Sequence, residues 1–301
     1  MRRTGPRQVL GAFGLAPTSV RRISGRANIH WRVRAGGAVF VLRRFADGPQ
    51  ADASAAWEQE LVSDLRGAGC PAPEALEPPR RIGDGLWLLM RHIEGRRGPQ
   101  SGVSTDDYRA LGGQLADLHA LSERLPPRAQ RPGWSDFTDA GQPVAGGDVD
   151  REGLLKDLRH AAPQAAGPIE AALAAYAARD LPSRFAGAPQ IAVHGDFAPW
   201  NIIRRGGSLA GLIDFEMAHL DVAAADLAMS RRGYHDAVVE GYCARRPLPA
   251  AQLAALDALW TGSLLFGLWR MLQAWRRDDR ARPADLAWHL EQLRKTRPYQ
   301  G

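Results

Sequence analysis

The chain has 301 residues, 45% of them hydrophobic and 24% charged, which fits a globular protein of one large domain or two lobes and excludes a fibre or a disordered tail. Lys and Arg outnumber Asp and Glu by 39 to 33, yet Lys156 and Lys295 are the only lysines; the scattered arginines read as a coding bias, and no nucleic-acid partner is expected. The most apolar run, Leu264 to Trp269, falls far below the roughly 20 residues of a membrane span, and Cys70 and Cys243 form neither a disulfide framework nor a metal-ligand spacing, so a cytoplasmic protein with no membrane partner is expected. Arg2, Arg3 and Arg7 ahead of Val9 to Phe13 imitate a leader only weakly, because the apolar stretch is short and interrupted.

In chain order, Ser19 to Ser24, Ile29 to Arg34 and Ala38 to Arg44 carry β-branched or alternating patterns that predict three strands, with Gly36-Gly37 as a hairpin turn between the second and third. Alternation puts Arg43 on one face with Val39 and Val41, and Arg44 on the other with Phe40 and Leu42. Ala53 to Leu65 predicts a helix, with Trp57, Leu61, Val62 and Leu65 at helical spacing and an end near Gly67 and Gly69. Asp106 to Ser122 predicts a second, striped by Tyr108, Leu111, Leu115, Leu118 and Leu121. The Pro- and Gly-rich stretch 126–150 predicts a long loop, Ala-rich helices follow to about Asp180, and Leu264, Leu265, Leu268, Leu272 and Trp275 predict a core-facing helix near the C-terminus.

Two motifs carry chemistry. Val193-His194-Gly195-Asp196 is followed at a spacing of five from Asp196 by Asn201, and a later apolar run ends in Ile213-Asp214-Phe215-Glu216. Phosphoryl transfer needs a carboxylate to orient the attacking hydroxyl and side-chain oxygens to hold the metal that neutralises developing charge; Asp196, Asn201 and Asp214 supply those groups. The His-Gly-Asp-x4-Asn spacing matches a kinase catalytic loop with Gly in place of Arg, and the Asp-Phe pair matches the strand that delivers a metal-binding Asp.

On these residues the chain resembles the aminoglycoside phosphotransferase family, which also includes relatives of choline kinase and of a bacterial homoserine kinase. The resemblance implies an α+β, two-lobed protein-kinase-like fold: a β-rich N-lobe over 1–94 with a hinge near 90–95, and a helical C-lobe over 96–301. It implies ATP or GTP with Mg2+ in the cleft and a small-molecule hydroxyl acceptor, either a metabolite or an antibiotic, the second of which would be a resistance function. Asp196 then aligns or deprotonates the acceptor, Asn201 and Asp214 hold the metal, and His194 and Asp226 support the loop. Arg43 stands where the family carries its phosphate-binding cation, often Lys, and Glu58 is its family partner, with Glu60 as the alternative. The turn of Ser24, Gly25 and Asn28 lies where backbone N–H groups would approach the phosphates. Leu86 to Gly95 looks like the last N-lobe strand and the hinge, with backbone around Met90 and His92 meeting the base. Only eleven residues separate Asp214 from Asp226, too few for a protein-kinase activation segment, which points to a small acceptor. Asp236, Glu240, Asp278 and Asp279 are candidates to meet a polyamine, and Trp260, Trp269, Trp275 and Trp288 to line an acceptor pocket. The alternatives are a metabolic alcohol kinase of the homoserine or choline type and, from another class, a nucleotide-binding pseudokinase with a regulatory role.

Overall fold

The structure is a computed structural model that describes residues 4–24, 28–48, 50–138, 150–277 and 283–300; the expectations for Gly25, Asp278 and Asp279 fall outside these. It divides into two compact units, one of residues 1–99 with 199–216 and one of 100–198 with 217–301, whereas the expected boundary near 94–96 keeps 199–216 with the C-terminal portion. A β-sheet N-terminal region and a helical C-terminal region make the fold α+β, as expected.

The first unit opens with a short helix, α1 (Pro6–Ala12), that no sequence pattern announced because it is only seven residues long. Strands β1 (Pro17–Ser24), β2 (Ile29–Ala35) and β3 (Ala38–Arg44) follow. Gly36 and Gly37, at φ 55° and 78°, form the two-residue turn between β2 and β3; left-handed dihedrals at both positions are what such a turn requires. Helix α2 (Ala51–Gly67) precedes β4 (Arg80–Ile82), β5 (Gly85–Arg91) and the two-residue β6 (Arg96–Arg97). The five-stranded sheet has the order β1-β2-β3-β5-β4, so β3 is central and Arg43 does not sit on an edge. One face packs Phe40, Leu42, Trp87 and Leu89 against Val9 and Leu10 of α1. The other packs Leu86 and Leu88 against Ala55 of α2, and the period of two along β3 therefore points Val41 and Arg43 toward the α2 side.

In the second unit come α3 (Thr105–Ser122), α4 (Arg151–Ala161), α5 (Pro163–Ala177), α6 (Leu181–Arg184) and β7 (Gln190–Val193). Ser104 starts α3 by accepting the Asp107 N–H on its side chain at 3.1 Å. A hairpin of β8 (Ile202–Arg205) and β9 (Ser208–Leu212) belongs to the first unit, where β8 pairs with β6. The chain returns through β10 (His219–Val222), antiparallel to β7, and continues as α7 (Ala223–Arg231), α8 (Asp236–Cys243), α9 (Ala250–Leu253), α10 (Leu256–Arg277) and α11 (Pro283–Lys295). Every residue of α7 is buried, which suits its run of Ala and Leu and makes it the axis of this unit. Leu264, Leu265, Leu268 and Leu272 are buried as the stripe on α10 predicts, while Trp288 is exposed. No described helix is long and apolar enough to cross a membrane.

Helices α3 and α8 meet backbone to backbone. A Cβ at Gly112 would lie 1.9 Å from the Val238 carbonyl oxygen, and one at Gly241 1.8 Å from that of Arg109. Ala at either position must push the helices apart and is expected to cost about 1–3 kcal/mol or more in urea unfolding. Gly167 on α5, which has nothing within 4 Å of a Cβ, serves as the control; Gly167→Ala is expected to leave stability unchanged or raise it by up to about 1 kcal/mol.

Candidate active site

In the first unit, Arg43 and Glu58 form a buried ion pair through both nitrogens of the guanidinium fork, with the second contact, Nη2 to Oε2, at 3.3 Å. Glu60 takes no part in it. Burial works against the charged guanidinium, but Glu58 first, and Glu216 and Asp214 beyond it, raise the Arg43 pKa, so the cation stays charged. The pair lines a cavity of about 180 Å³ that also takes in Val41, Met90 and Asp214. His30, the cross-strand neighbour of Arg43 in the β2–β3 ladder, lines it as well. Burial, and then the neighbouring Arg43 charge, push the His30 imidazole down to about 4, so it is neutral at physiological pH.

Asn201 and Asp214 are brought together by the β8–β9 hairpin. The Ile213 N–H donates to the Asn201 carbonyl at 2.9 Å, which sets residue 214 one step beyond the backbone partner of Asn201 at the hairpin's open end. Asn201 is fully buried, and its Oδ1 accepts from Arg97 Nη2 at 3.3 Å, so a cation on that oxygen has to share or displace the contact. Asp214 has φ 74°, in the left-handed region that Asp tolerates better than most residues. A carboxylate and an amide oxygen are hard donors that fit Mg2+, which takes its remaining ligands from phosphate and water. Among the described residues, no group of three or more His, Cys, Asp or Glu could hold a metal by itself.

Other expected nucleotide contacts are tied up in the fold. The Asn28 side chain donates to Glu216 Oε2 at 2.5 Å and accepts the Ala46 N–H at 2.9 Å, so both ends of its amide are engaged. The Arg91 N–H goes to the Glu74 carbonyl at 2.8 Å and the His92 N–H to the Val39 carbonyl at 3.1 Å. A base near Met90 and His92 would therefore find those two donors occupied. Ser24 ends β1, and its backbone pairs with His30 in the β1–β2 ladder.

In the second unit, β7 delivers the His194-Gly195-Asp196 turn. Gly195 has φ 76°, and a Cβ there would lie 2.2 Å from the Met217 carbonyl oxygen, so glycine is the only side chain that fits. Asp226 on α7 is fully buried and accepts the His194 N–H at 2.7 Å and the Gly195 N–H at 3.0 Å. His119 Nε2 reaches the same carboxylate at 3.2 Å, and its Nδ1 lies 2.8 Å from the Tyr242 hydroxyl. Burial alone would raise the Asp226 pKa, but the hydrogen bond and charge of His119, with His194 in support, hold it below the usual carboxylate value. The Asp196 N–H donates to His194 Nδ1 at 3.2 Å, so that ring nitrogen is an acceptor and His194 is not poised as a base through it.

The Asp196 side chain is part-exposed and forms an ion pair with Arg232, the residue that closes α7. Neither Arg232 nor Arg97 stood out in the sequence, since one more arginine in an arginine-rich chain carries no signal. The position of His30 opposite Arg43 was open to inference from strand register. Asp236 is held by Arg231 at 2.7 Å and by Arg297 at 3.3 Å, and Glu240 by Arg109 at 2.8 Å, so both carboxylates meet arginines and are poorly placed to meet a polyamine.

Residues 19–246 match the family model described as the phosphotransferase enzyme family, APH. Among curated proteins, the chain is 29% identical over 266 residues to the homoserine kinase of Rhizobium rhizogenes, covering 79% of this chain and 74% of that protein. It is 30% identical over 257 residues to the homoserine kinase of Agrobacterium fabrum, covering 77% and 72%. Among solved structures, an amicoumacin kinase in complex with AMP-PNP and Ca2+ matches with a TM-score of 0.67 at 14% identity, covering 97% of this chain and 92% of that one. The aminoglycoside phosphotransferase APH(4)-Ia matches with a TM-score of 0.63 at 15% identity, covering 95% of each. These likenesses place the fold with the protein-kinase-like phosphotransferases. With a family match over most of its length and curated kinase relatives over three quarters of it, the chain belongs to the phosphotransferase enzyme family and is a kinase that phosphorylates a hydroxyl group.

Proposed function

We propose that the protein transfers the γ-phosphoryl group of ATP or GTP, with Mg2+, to the hydroxyl of a small metabolite of the homoserine type. The observation that carries this reading is the presentation of Asp196 on a turn whose backbone N–H groups are clamped by the buried Asp226 carboxylate. A loose transition state asks for alignment more than for strong base, and a rigid turn supplies it. The acceptor oxygen bonds to the γ-phosphorus as the bond to the β,γ-bridging oxygen breaks. The hydroxyl proton passes to Asp196, and the nucleoside diphosphate leaves with the electron pair.

Asn201 and Asp214 are the proposed metal ligands, and Arg43, charged and forked, the proposed contact to phosphate oxygens. When bound, Mg2+ would offset charge on the phosphates. His194 and Asp226 hold the loop and do not touch the acceptor. A metabolite is favoured over a cationic antibiotic for two reasons. The curated relatives near 30% identity are named homoserine kinases, whereas the antibiotic kinases share only the fold at 14–15% identity. The carboxylates that might have met a polyamine, Asp236 and Glu240, already meet arginines. A nucleotide donor and two free thiols, Cys70 and Cys243, suit the reducing cytoplasm.

Transfer from labelled ATP and GTP with Mg2+ to homoserine, choline, sugars and aminoglycosides tests the reading, and a regulator that binds nucleotide without transfer would contradict it. Asp196→Asn is expected to lower kcat by about 10²–10⁴ while nucleotide affinity stays within a few-fold, as followed by calorimetry. Asp214→Ala is expected to weaken Mg2+-dependent nucleotide binding by about tenfold or more and to leave binding in excess chelator unaltered. Glu58→Gln strands a buried guanidinium and is expected to cost about 3–5 kcal/mol in urea unfolding, together with a raised KM for the nucleotide.

A further inference from the structure

We propose that Arg232 is an acceptor subsite that binds a carboxylate held a few bonds from the reacting hydroxyl, so that the protein selects hydroxy acids over amino alcohols and polyamines. This rests on the reading of Asp196 as the acceptor-aligning residue. The Arg232 guanidinium pairs through Nη2 with Asp196 Oδ1, and both side chains are part-exposed, at 17% and 28%. A hydroxyl that reaches Asp196 therefore arrives beside a fixed positive charge.

The backbone that carries that charge is held on several sides. Arg232 closes α7 with φ 52° and ψ 35°, a left-handed conformation that favours glycine, yet an arginine occupies it. The next residue, Gly233, has φ 79°, and a Cβ there would come within 2.9 Å of the Trp260 ring and 3.1 Å of Thr296. The Arg297 N–H donates to the Gly233 carbonyl at 3.1 Å, and the Trp260 ring lies 5.9 Å from Arg232 Cζ. The backbone that carries Arg232 is thus held, and the C-terminal end of α7 favours a cation there.

Asp236, the next carboxylate along the chain, is engaged by Arg231 and Arg297. His235 lies near the same group; burial, and then the Arg232 charge, push it down to about 4, and it is neutral at physiological pH. When the acceptor hydroxyl engages Asp196, the guanidinium has to share that carboxylate, and an acceptor carboxylate restores a planar, fork-matched anion to it. A polycation would meet Arg232 with like charge.

The test is a set of matched acceptor pairs that differ only in the carboxylate: L-homoserine against 2-amino-1,4-butanediol, L-serine against 2-amino-1,3-propanediol, and 4-hydroxybutyrate against 1,4-butanediol. The wild-type protein is expected to prefer the acid member in kcat/KM by at least tenfold, chiefly through KM. In Arg232→Gly, which relaxes the left-handed backbone and so preserves the fold, that preference is expected to fall to about one, whatever change in kcat both members share. Arg232→Lys is expected to recover part of the preference. Transfer with no acid preference in the wild type, or a preference that survives in Arg232→Gly, overturns this subsite and leaves the kinase reading intact. Bound nucleotide with no transfer to any member overturns both.

Discussion

The buried carboxylate of Asp226 is the constraint on which the second unit turns. It takes two backbone N–H groups from the β7 turn and a ring nitrogen from α3, and it is itself carried by the fully buried α7. A charge in such surroundings is tolerable only with this many donors, and the same donors then have little freedom to move. Strand pairing places the turn, Asp226 fixes its dihedrals, and Gly195 admits the Met217 carbonyl that would exclude any side chain. Asp196 inherits its position from these contacts.

Arginine pairing shapes much of the remaining electrostatics. A formal charge of +6 suggests a basic surface, but the arginines that matter are spoken for: Arg43 by Glu58, Arg231 and Arg297 by Asp236, Arg109 by Glu240. Arg231 is fully buried and also donates to the Arg297 carbonyl at 2.9 Å and the Pro298 carbonyl at 3.3 Å, so it fastens the C-terminal segment to α7. Such a guanidinium is a structural part, with its donors spread over carboxylate and backbone. Net charge is accordingly a poor guide here to what the protein binds.

How much of this the sequence disclosed follows from the range of the signal. The three N-terminal strands, the hairpin glycines, α2 and α3 were legible because period and turn chemistry act over a few residues, and the elements extend only one or two residues beyond the expected ends. The short pieces were not: α1, β4, β6 and the β7–β10 pair are too brief for periodicity, and β6 and the β7–β10 pair exist through long-range pairing. The proposed chemical groups Asp196, Asn201 and Asp214 stood out as a spaced motif. What lies beside them did not, because Arg97 on Asn201, Arg232 on Asp196 and His119 on Asp226 are contacts between residues 30 to 110 positions apart or drawn from a crowd of arginines. Around the expected hinge, the Arg91 and His92 N–H groups are taken by the Glu74 and Val39 carbonyls, contacts that are invisible in a motif.

Backbone conformation offers a different guide. Among the described residues, Asp180, Asp214 and Arg232 are the non-glycine residues at positive φ. For Asp180, the residue before α6, the tolerance of Asp for left-handed turns is explanation enough. At Asp214 and Arg232 a positive φ costs up to about 1 kcal/mol relative to glycine, less for the Asp than for the Arg, and either position could adopt glycine by a single substitution. Glycine would give the easier backbone but no carboxylate beside Asn201 and no guanidinium beside Asp196. Retaining the side chain against that preference is intelligible if the side chain is what the position is for, and it places the two strained residues next to the two groups proposed to carry the chemistry.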